Sequence, residues 1–290
     1  MAVILDGKAL AAQQKPALMA KAHDLTLCLG RLPTLAVILV GEDPASQVYV
    51  ARKAAMCQTL GIRSIIHRLA SSVTRADLIA VIKGLNQDET IDGILLQLPL
   101  PAHLDRYEIL QYIDPVKDVD GLHPLNQGYL FQGKPRLVPC TPLGCLQLIQ
   151  SCCSDLTGVN ITIIGTSILV GRPLALLLMQ QGATVTIANS KTRDLIRVTQ
   201  DADIIISATG QPYLITAAHV KEGATIIDVG IIKLNDRLVG DVDFTAVEKK
   251  AAFITPVPGG VGPMTIINLM ANILKAAEER FNAQQTFKNS

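Results

Sequence analysis

The chain has no tryptophan, and aromatic residues make up only 3% of its 290 residues, so its core must rest on Leu, Ile, Val and Ala. The formal net charge is +1 and no block of like charges occurs, so nothing favours nucleic acid or an anionic membrane as a partner. The apolar start is broken at Asp6, and the apolar run 174–179 directly follows Arg172. Neither a signal peptide nor a membrane span is therefore predicted.

The number and spacing of the cysteines predict neither a disulfide scaffold nor a zinc site. The six cysteines include no CxxC pair, which matches neither a disulfide scaffold nor a zinc site, and no metal is expected. Cys28, Cys57, Cys152 and Cys153 are predicted to fill the core as small apolar side chains. This cysteine usage favours a reducing, cytoplasmic location.

Short β-branched runs alternate with longer segments of helical pattern, which is typical of parallel βαβ units and predicts an α/β fold. Seven strands are predicted, at Thr34–Val40, Arg63–Leu69, Ile91–Leu96, Asn160–Ile164, Thr184–Ala188, Asp203–Ser207 and Thr225–Asp228. The runs 94–96 and 204–206 are apolar without alternation, which predicts central strands. Residues 114–141 are rich in Pro, Gly, Asp and Asn and predict a crossover between two domains. An amphipathic helix is predicted at 265–280, followed by a frayed tail at 284–290.

A glycine turn joins the predicted strand 160–164 to a helix. Gly165 allows a sharp turn, Gly171 permits close backbone approach, and Pro173 suits the first helical turn. Such a turn leaves free N–H groups aimed at a phosphate. The spacing differs from GxGxxG, so an ordinary strand-to-helix turn remains an alternative.

The residues after strand 184–188 bear on the choice of dinucleotide. NAD enzymes often carry an acid here for the ribose hydroxyls, but this chain has Asn-Ser-Lys-Thr-Arg at 189–193. Ser190 with Lys191 or Arg193 can donate to a 2′-phosphate, which favours NADP over NAD. A solvated polar loop is the alternative. Small residues at 207–210 and 228–231 end two further strands and suit a nicotinamide ribose.

Four polar features stand out elsewhere. Tyr49 and Lys53 share one helix face, Gln97 ends an apolar strand, residues 117–121 hold two acids and a glycine, and residues 256–263 form a Pro/Gly-rich loop. Their ordinary alternatives are a surface pair, a satisfied strand end, solvated acids and a structural hinge. From these residues alone, the prediction stops at an NADP-linked oxidoreductase of unknown substrate.

Six motifs occur in one order along nearly the whole chain, and together they resemble the bifunctional methylenetetrahydrofolate dehydrogenase/methenyltetrahydrofolate cyclohydrolase family. They are Tyr49-Val50-x-x-Lys53, Gln97-Leu98-Pro99-Leu100-Pro101, Lys117-Asp118-Val119-Asp120-Gly121, Pro139-Cys140-Thr141-Pro142, Gly165-x-Ser167-x-x-Val170-Gly171 and Pro258-Gly259-Gly260-Val261-Gly262-Pro263-Met264-Thr265. Two positions depart from common family forms: Asn189 where His is frequent, and Ile232 where Asn is usual. Thr166 occupies a position that varies and is Arg in some members. Thr166 removes one contact to a 2′-phosphate.

The resemblance implies an enzyme of one-carbon metabolism with two activities. Hydride passes from 5,10-methylenetetrahydrofolate to NADP, and water then opens the methenyl product to 10-formyltetrahydrofolate. The implied catalytic residues are Lys53, Gln97, Asp120 and Tyr49. Lys53 handles the proton, which requires its pKa to fall from about 10.4 toward neutrality. Gln97 hydrogen-bonds Lys53, Asp120 accepts from the pterin N–H edge, and Tyr49 stacks on the folate rings.

The resemblance also implies the binding sets, the domains and the assembly. The folate side comprises Tyr49, Lys53, Gln97, Leu98, Asp120, Pro258, Gly259 and Gly260. The NADP side comprises Gly165, Thr166, Ser167, Gly171, Ser190, Thr209, Gly210 and Ile231. A catalytic, folate-binding α/β domain is expected at 1–140, joined by the C-terminal helix 263–290. A Rossmann-type NADP-binding domain with a parallel sheet is expected at 141–262, with the active-site cleft between the two domains.

The expected partners are tetrahydrofolate derivatives and a second copy of the chain in a homodimer. Two other functions stay open at this point. One is an NADP-dependent dehydrogenase of another small substrate, and the other is a folate-binding homologue without catalysis.

Overall fold

The computed structural model describes residues 1–235 and 237–288. Ten α-helices lie within these residues: α1 Gly7–Leu29, α2 Pro44–Thr59, α3 Arg75–Gln87, α4 Arg106–Leu110, α5 Pro124–Phe131, α6 Cys140–Gln150, α7 Gly171–Gln180, α8 Leu195–Thr199, α9 Phe244–Val247 and α10 Val261–Lys288. None of these described helices is both long enough and apolar enough to cross a membrane. The predicted C-terminal helix is present and continues through 284–288, where a frayed tail was expected, while residues 289–290 of that prediction lie outside the described part.

The described residues also form eleven β-strands: β1 Val3–Ile4, β2 Thr34–Val40, β3 Arg63–Leu69, β4 Gly93–Leu96, β5 Asn160–Ile164, β6 Thr184–Ala188, β7 Ile204–Ser207, β8 Thr225–Asp228, β9 Ile232–Leu234, β10 Arg237–Val239 and β11 Phe253–Ile254. Five of the seven predicted strands have the predicted bounds. β4 begins two residues later than predicted, and β7 begins one residue later. The strands β1 and β11 were not predicted, because two residues are too short for a periodic pattern.

The chain divides into two compact units, and each unit takes its residues from separate parts of the sequence. The first contains Met1–Gln13 and Pro139–Asn268, and the second contains Gln14–Val138 and the chain from Leu269 onward. Residues 1–13 were expected to belong with the first half of the chain. In the structure, β1 in this segment pairs in parallel with β11 instead.

The first unit is built on a parallel sheet of six strands in the order β1-β11-β8-β7-β5-β6. β7 lies inside this order and all four of its residues are buried, as its unbroken apolar run predicts. The antiparallel pair β9 and β10 forms a separate small hairpin. Because the strands are parallel, the carboxyl ends of β5, β7 and β8 meet at one edge of the sheet.

The second unit is built on a parallel sheet of three strands in the order β3-β2-β4. Every residue of β2 is buried, and β2 is the middle strand. The prediction that 94–96 form a central strand is wrong, because β4 is the last strand in this order. β4 is nevertheless fully buried, since the chain at Lys117 and Asp118 covers its open side. The Lys117 carbonyl accepts from the Ile94 N–H at 2.7 Å, and Asp118 forms a parallel bridge with Ile94.

Local side-chain contacts explain where the helices of the second unit begin. Asp43 caps α2 by accepting from the Ser46 N–H at 2.8 Å, and Pro44 supplies a first residue whose missing N–H is not needed there. Thr74 caps α3 in the same way, accepting from the Asp77 N–H at 3.2 Å. These caps fix the register of the helices and therefore which side chains face the sheet.

The cysteine prediction is correct for Cys57 and wrong for Cys28. Cys57 is buried, whereas Cys28 lies exposed in the last turn of α1, and Cys152 and Cys153 are half-buried in the turn after α6. All six cysteines are free thiols. Among the described residues, no group of three or more His, Cys, Asp or Glu is arranged to hold a metal ion.

Candidate active site

The second unit brings Lys53 and Gln97 together. Lys53 lies on the buried face of α2 with 9% of its surface exposed, and its Nζ donates to Gln97 Oε1 at 3.0 Å. Gln97 directly follows β4, and its N–H donates to the Ile38 carbonyl at 2.9 Å. Its own amide nitrogen donates to the Leu98 carbonyl at 2.7 Å, which turns the amide oxygen toward Lys53. A buried ammonium group and an amide therefore meet at the carboxyl end of a parallel strand.

Tyr49 lies one helical turn before Lys53 on α2, as the i, i+4 spacing predicts. Its ring is half-buried, and this burial raises the pKa of the phenol above its ordinary value, with the nearby Arg52 acting in the opposite direction. Leu98 is also half-buried, and the peptide bond from Leu98 to Pro99 is cis. Tyr49 thus presents an aromatic surface beside the lysine along one face of the helix.

Asp120 lies in a loop that two buried charged residues hold in place. Lys117 Nζ donates to the carbonyls of Leu85, Asn86 and Asp88 at 3.0, 2.8 and 2.8 Å, so it caps the end of α3. Burial lowers the pKa of Lys117 to about 8, and the positive charge of Arg280 acts in the same direction.

Asp118 fixes the turn that follows. Its carboxylate accepts from the N–H groups of Leu122 and His123 and from the Asn126 side chain, at 3.2, 2.8 and 2.8 Å. Burial raises the pKa of Asp118 to about 6, against the effect of these donors. Because the chain at Asp118 runs parallel to β4, it carries the half-buried Asp120 toward the end of the strand where Gln97 lies.

The loop 256–260 belongs to the first unit and has little freedom to move. The Gly260 N–H donates to the Pro256 carbonyl at 2.9 Å, and the Val257–Pro258 bond is cis. The Lys8 N–H at the start of α1 donates to the Gly259 carbonyl at 3.1 Å. A side chain at Gly7 would overlap the Gly260 carbonyl. Gly259 and Gly260 are buried, while Pro258 is exposed at the tip.

The predicted dinucleotide turn is present between β5 and α7, and its two glycines are sterically required. Gly165 has a φ of +122°, and a Cβ there would overlap the Ala208 carbonyl. A Cβ at Gly171, the first residue of α7, would overlap the Gly165 carbonyl. Ser167 supports the turn by accepting from the Val170 N–H at 3.2 Å, and Thr166 and Ser167 are both half-buried.

The segment 189–193 forms a tight turn after β6 that two side chains stabilise. Asn189 accepts from the Lys191 N–H at 2.9 Å, and Thr192 accepts from the Asn189 N–H at 3.0 Å. Ser190, Lys191 and Arg193 are exposed. Asn189, which departs from the common family form, therefore holds the turn that displays these three donors.

Thr209, Gly210 and Ile231 follow β7 and β8, at the same edge of the sheet as the glycine turn. Thr209 is half-buried, whereas Gly210 and Ile231 are exposed. The buried acids beneath them, Asp228 and Asp241, were not predicted as site residues. Asp228 ends a strand and Asp241 follows a glycine after a short hairpin. Neither context differs from that of an ordinary turn acid, so no sequence signal marked them.

Comparisons with known proteins show which family this chain belongs to. A family model described as the catalytic domain of tetrahydrofolate dehydrogenase/cyclohydrolase matches residues 5–120, and the model of its NAD(P)-binding domain matches residues 139–281. The chain is 52% identical over 278 residues to the bifunctional protein FolD of Campylobacter curvus, covering 96% of each chain.

Solved structures show the same similarity. The FolD methylenetetrahydrofolate dehydrogenase/cyclohydrolase of Campylobacter jejuni is 48% identical, with a TM-score of 0.93 over 97% of this chain and 100% of that one. The Trypanosoma brucei enzyme, solved with NADP and an inhibitor, is 37% identical, with a TM-score of 0.93 over 96% of this chain and 98% of that one.

Proposed function

This chain belongs to the tetrahydrofolate dehydrogenase/cyclohydrolase family, and from that premise we propose that its two reactions depend on Lys53, Gln97, Asp120 and Tyr49 on the folate side and on the glycine turn 165–171 on the cofactor side. The chain is a bifunctional enzyme of folate one-carbon metabolism. It oxidises 5,10-methylenetetrahydrofolate with NADP and hydrolyses the methenyl product to 10-formyltetrahydrofolate. The single observation that carries the assignment of residues is the buried contact between Lys53 and Gln97.

The hydrolytic step assigns a distinct task to each folate-side residue. Water adds to the carbon of the methenyl cation and releases a proton, and the carbon–nitrogen bond to one ring nitrogen then breaks. Lys53 transfers the proton, and Gln97 orients the lysine through the 3.0 Å bond to its Nζ. Asp120 offers two acceptor oxygens to the pterin N–H edge, and Tyr49 and Leu98 pack against the rings. The lowered pKa expected for Lys53 stays a prediction that a pH profile of methenyl hydrolysis can measure.

The first unit fits NADP because the turn between β5 and α7 has no side chain at Gly165 or Gly171, which leaves room for a phosphate group. Gly165 and Gly171 keep the backbone of the turn open at the start of α7. Thr166 and Ser167 lie in this turn, Thr209, Gly210 and Ile231 would flank the nicotinamide ribose, and Ser190 would bond the 2′-phosphate. When bound, NADP accepts the hydride from the methylene carbon. Pro258, Gly259 and Gly260 would close over the folate.

Turnover by the purified enzyme tests the proposed function. Methylenetetrahydrofolate is mixed with NADP and, separately, with NAD, and the appearance of reduced cofactor and the loss of methenyl absorbance are recorded. We expect both activities, with faster reduction of NADP. Reduction of NADP only by an unrelated alcohol or amino acid would replace the folate assignment, and binding of folate without turnover would remove the catalytic one.

The domain assignment follows the same division of tasks. We propose that the folate-binding domain comprises 1–140 with the helix 263–290, and that the NADP-binding domain comprises 141–262. The match of the catalytic-domain model to residues 5–120 and the start of the NAD(P)-binding model at residue 139 support a boundary near residue 140. The NAD(P)-binding model continues to residue 281, so the assignment of the helix 263–290 to the folate-binding domain rests on the resemblance.

A homodimer and a cytoplasmic location are also proposed. β6 is the last strand in the order of its sheet, and it exposes Thr184, Thr186 and Ile187, so it offers a surface on which a second copy could pack. Sedimentation should then give about twice the mass of one 31.0 kDa chain. Six free thiols support a reducing compartment.

A further inference from the structure

Two buried carboxylates, Asp228 and Asp241, lie beneath the cofactor-side loops, and the mechanism above uses neither of them. Asp228 is the last residue of β8 and is 4% exposed. Asp241 follows the hairpin of β9 and β10 and is fully buried. Burying a carboxylate costs several kcal/mol unless donors surround it. Two buried acids at one sheet edge therefore need an explanation beyond stability.

Asp241 binds the loop after β7. Its Oδ2 accepts from the Ser207 hydroxyl at 2.9 Å, from the Thr209 N–H at 2.7 Å and from the Thr209 hydroxyl at 2.9 Å. The backbone and the side chain of Thr209 are thus both fixed by a single oxygen atom.

Asp228 binds the loop after β8 and the segment that carries Asp241. It accepts from the Gly230 N–H at 2.9 Å and from the N–H groups of Asp241 and Val242, each at 3.0 Å. Burial raises the pKa of Asp228 to about 6, and the neighbouring Asp241 charge acts in the same direction against these three donors. The two acids therefore lie close enough to influence each other.

Two glycines make this close arrangement possible. A Cβ at Gly230 would overlap Asp241 Oδ1, and a Cβ at Gly240 would overlap Asp228 Oδ2. Each carboxylate thus fills the space that a side chain on the other segment would need. The segments 228–230 and 240–242 are therefore in close contact, and a shift of one would create a steric clash with the other or break its hydrogen bonds to it.

Thr255 connects these two segments to the loop 256–260 of the same unit. The Asp228 N–H donates to Thr255 Oγ1 at 2.7 Å, and a Cβ at Gly260 would lie 2.7 Å from the Thr255 Cβ. One set of contacts therefore joins Thr209, Gly230 and the start of the Pro/Gly-rich loop.

We propose that Asp241 is a positioning residue for NADP, whose carboxylate holds Thr209 through Oδ2 and packs against Gly230, next to Ile231, through Oδ1, in the conformation that the bound dinucleotide requires. This inference rests on the proposed function, since it takes Thr209 and Ile231 as cofactor contacts. Its physical basis is preorganisation: loops fixed before binding lose less conformational entropy when the cofactor binds. Asp241 Oδ1 is buried and has no hydrogen-bond partner within the described part of the chain, so this acid is not optimised for stability alone.

The test compares Asp241→Ala with Asp241→Asn. The asparagine can present its side-chain oxygen to the same three donors, whereas alanine cannot. We expect Asp241→Ala to raise the Kd and KM for NADP at least tenfold, and Asp241→Asn to stay within about threefold of wild type. Methenyl hydrolysis, assayed without NADP, should keep its kcat and KM in both variants.

Asp243→Ala is the matched control, because it removes an acid two residues away. Asp243 caps α9 by accepting from the Ala246 N–H at 3.2 Å, and its loss should lower thermal stability without changing NADP affinity. If Asp241→Ala does not fold, Ser207→Ala replaces it. This variant removes one donor to Asp241 Oδ2 and should raise the Kd for NADP about threefold.

Two results would overturn the proposal. One is wild-type NADP affinity in a folded Asp241→Ala or Ser207→Ala variant. The other is an equal loss of NADP affinity and methenyl hydrolysis, which would indicate a general structural role. Failure of the proposed function is distinguishable, because the wild-type enzyme would then show no folate turnover whatever the variants bind.

Discussion

Within each of its two units, this enzyme holds the proposed site residues by opposite means. In the second unit the site is made by side chains that are present, since buried Lys53 is held by Gln97 and the loop of Asp120 is held by Lys117 and Asp118. In the first unit it is made largely by side chains that are absent, at Gly165 and Gly171. The difference teaches that the residues proposed for bond chemistry are held by buried side-chain contacts, whereas the turn proposed to bind a large cofactor depends on space left by glycine.

Replacing Lys53 with methionine should have the largest effect on this comparison. The substitution introduces an apolar side chain of similar length and removes the group proposed to transfer the proton, so methenyl hydrolysis should fall by about 10²–10⁴-fold or more. NADP affinity should not change, because the cofactor-side groups belong to the other unit. Stopped-flow loss of methenyl absorbance and titration with NADP measure the two quantities.

Lys83→Met provides the matched control for that experiment. Lys83 lies exposed on α3 in the same unit, and losing it removes the same charge without touching Gln97. Hydrolysis should stay at the wild-type rate. Unchanged hydrolysis in Lys53→Met would contradict the role given to Lys53.

Gly171→Ala tests the other side of the comparison. The new methyl group would overlap the Gly165 carbonyl, so the turn must open, and overpacking of this kind costs about 1–3 kcal/mol. We expect the Kd for NADP to rise about tenfold or more, measured by calorimetric titration. Methenyl hydrolysis without NADP should remain near the wild-type rate.

Gly84→Ala is the control for Gly171→Ala, because nothing lies within 4 Å of the Cβ it would add to α3. An alanine inside a helix should raise stability by about 0.5–1 kcal/mol and leave NADP binding unchanged. NADP affinity in Gly171→Ala equal to that in Gly84→Ala would show that the turn tolerates a side chain.

Asp118→Asn should have the smallest effect on activity. Its expected effect is a change in how the free energy of unfolding depends on pH. Burial raises the pKa of Asp118 to about 6 from an ordinary value of 3.8, so the native state binds more protons than the unfolded state between these values. Stability from this group is therefore greatest in acid and is lost as pH rises from about 4 to 6. Relative to Asp118→Asn, the free energy of unfolding of the wild-type enzyme should fall across that range. Above about pH 7 the difference between the two proteins should stay constant.

Chemical denaturation at a series of pH values measures this difference. Asp105→Asn is the control, since Asp105 is an exposed cap of α4 and asparagine caps a helix equally well. A constant difference between the wild type and Asp118→Asn across the acid and neutral range would contradict the prediction.

Local patterns predicted what depends on nearby residues. The bounds of β2, β3, β5, β6 and β8 follow from β-branched runs, and the turn at Gly165 follows from its place between strand and helix. The position of β4 at the end of its sheet was not predicted, because an apolar run shows that a strand is buried but not what covers it. Here the cover is the loop at Lys117.

Site residues that depend on contacts between distant parts of the sequence were harder to predict. Lys53 and Gln97 each lie in a motif of the family pattern, so the sequence could assign them to one site although 44 residues separate them. Asp241 could not be found in that way, since its partners Ser207 and Thr209 lie more than thirty residues earlier in the chain and in no shared motif. No spacing rule links them, because the register of a parallel sheet, and not the local sequence, brings them together.

The second unit combines an early part of the sequence, Gln14–Val138, with a late part that begins at Leu269, so it cannot be complete until the late part has been synthesised. Lys53 and Gln97 are synthesised early, but the carbonyls of Val119 and Val138 receive bonds from the Asn272 side chain, at 2.9 and 2.8 Å. Asn272 follows Val119 by 153 residues, so the helix that carries it is synthesised much later than Lys53 and Gln97. A prematurely terminated chain would therefore carry every proposed catalytic residue and still lack the side chain that fixes the chain beside Asp120. We therefore expect activity only after the chain has been synthesised through Asn272.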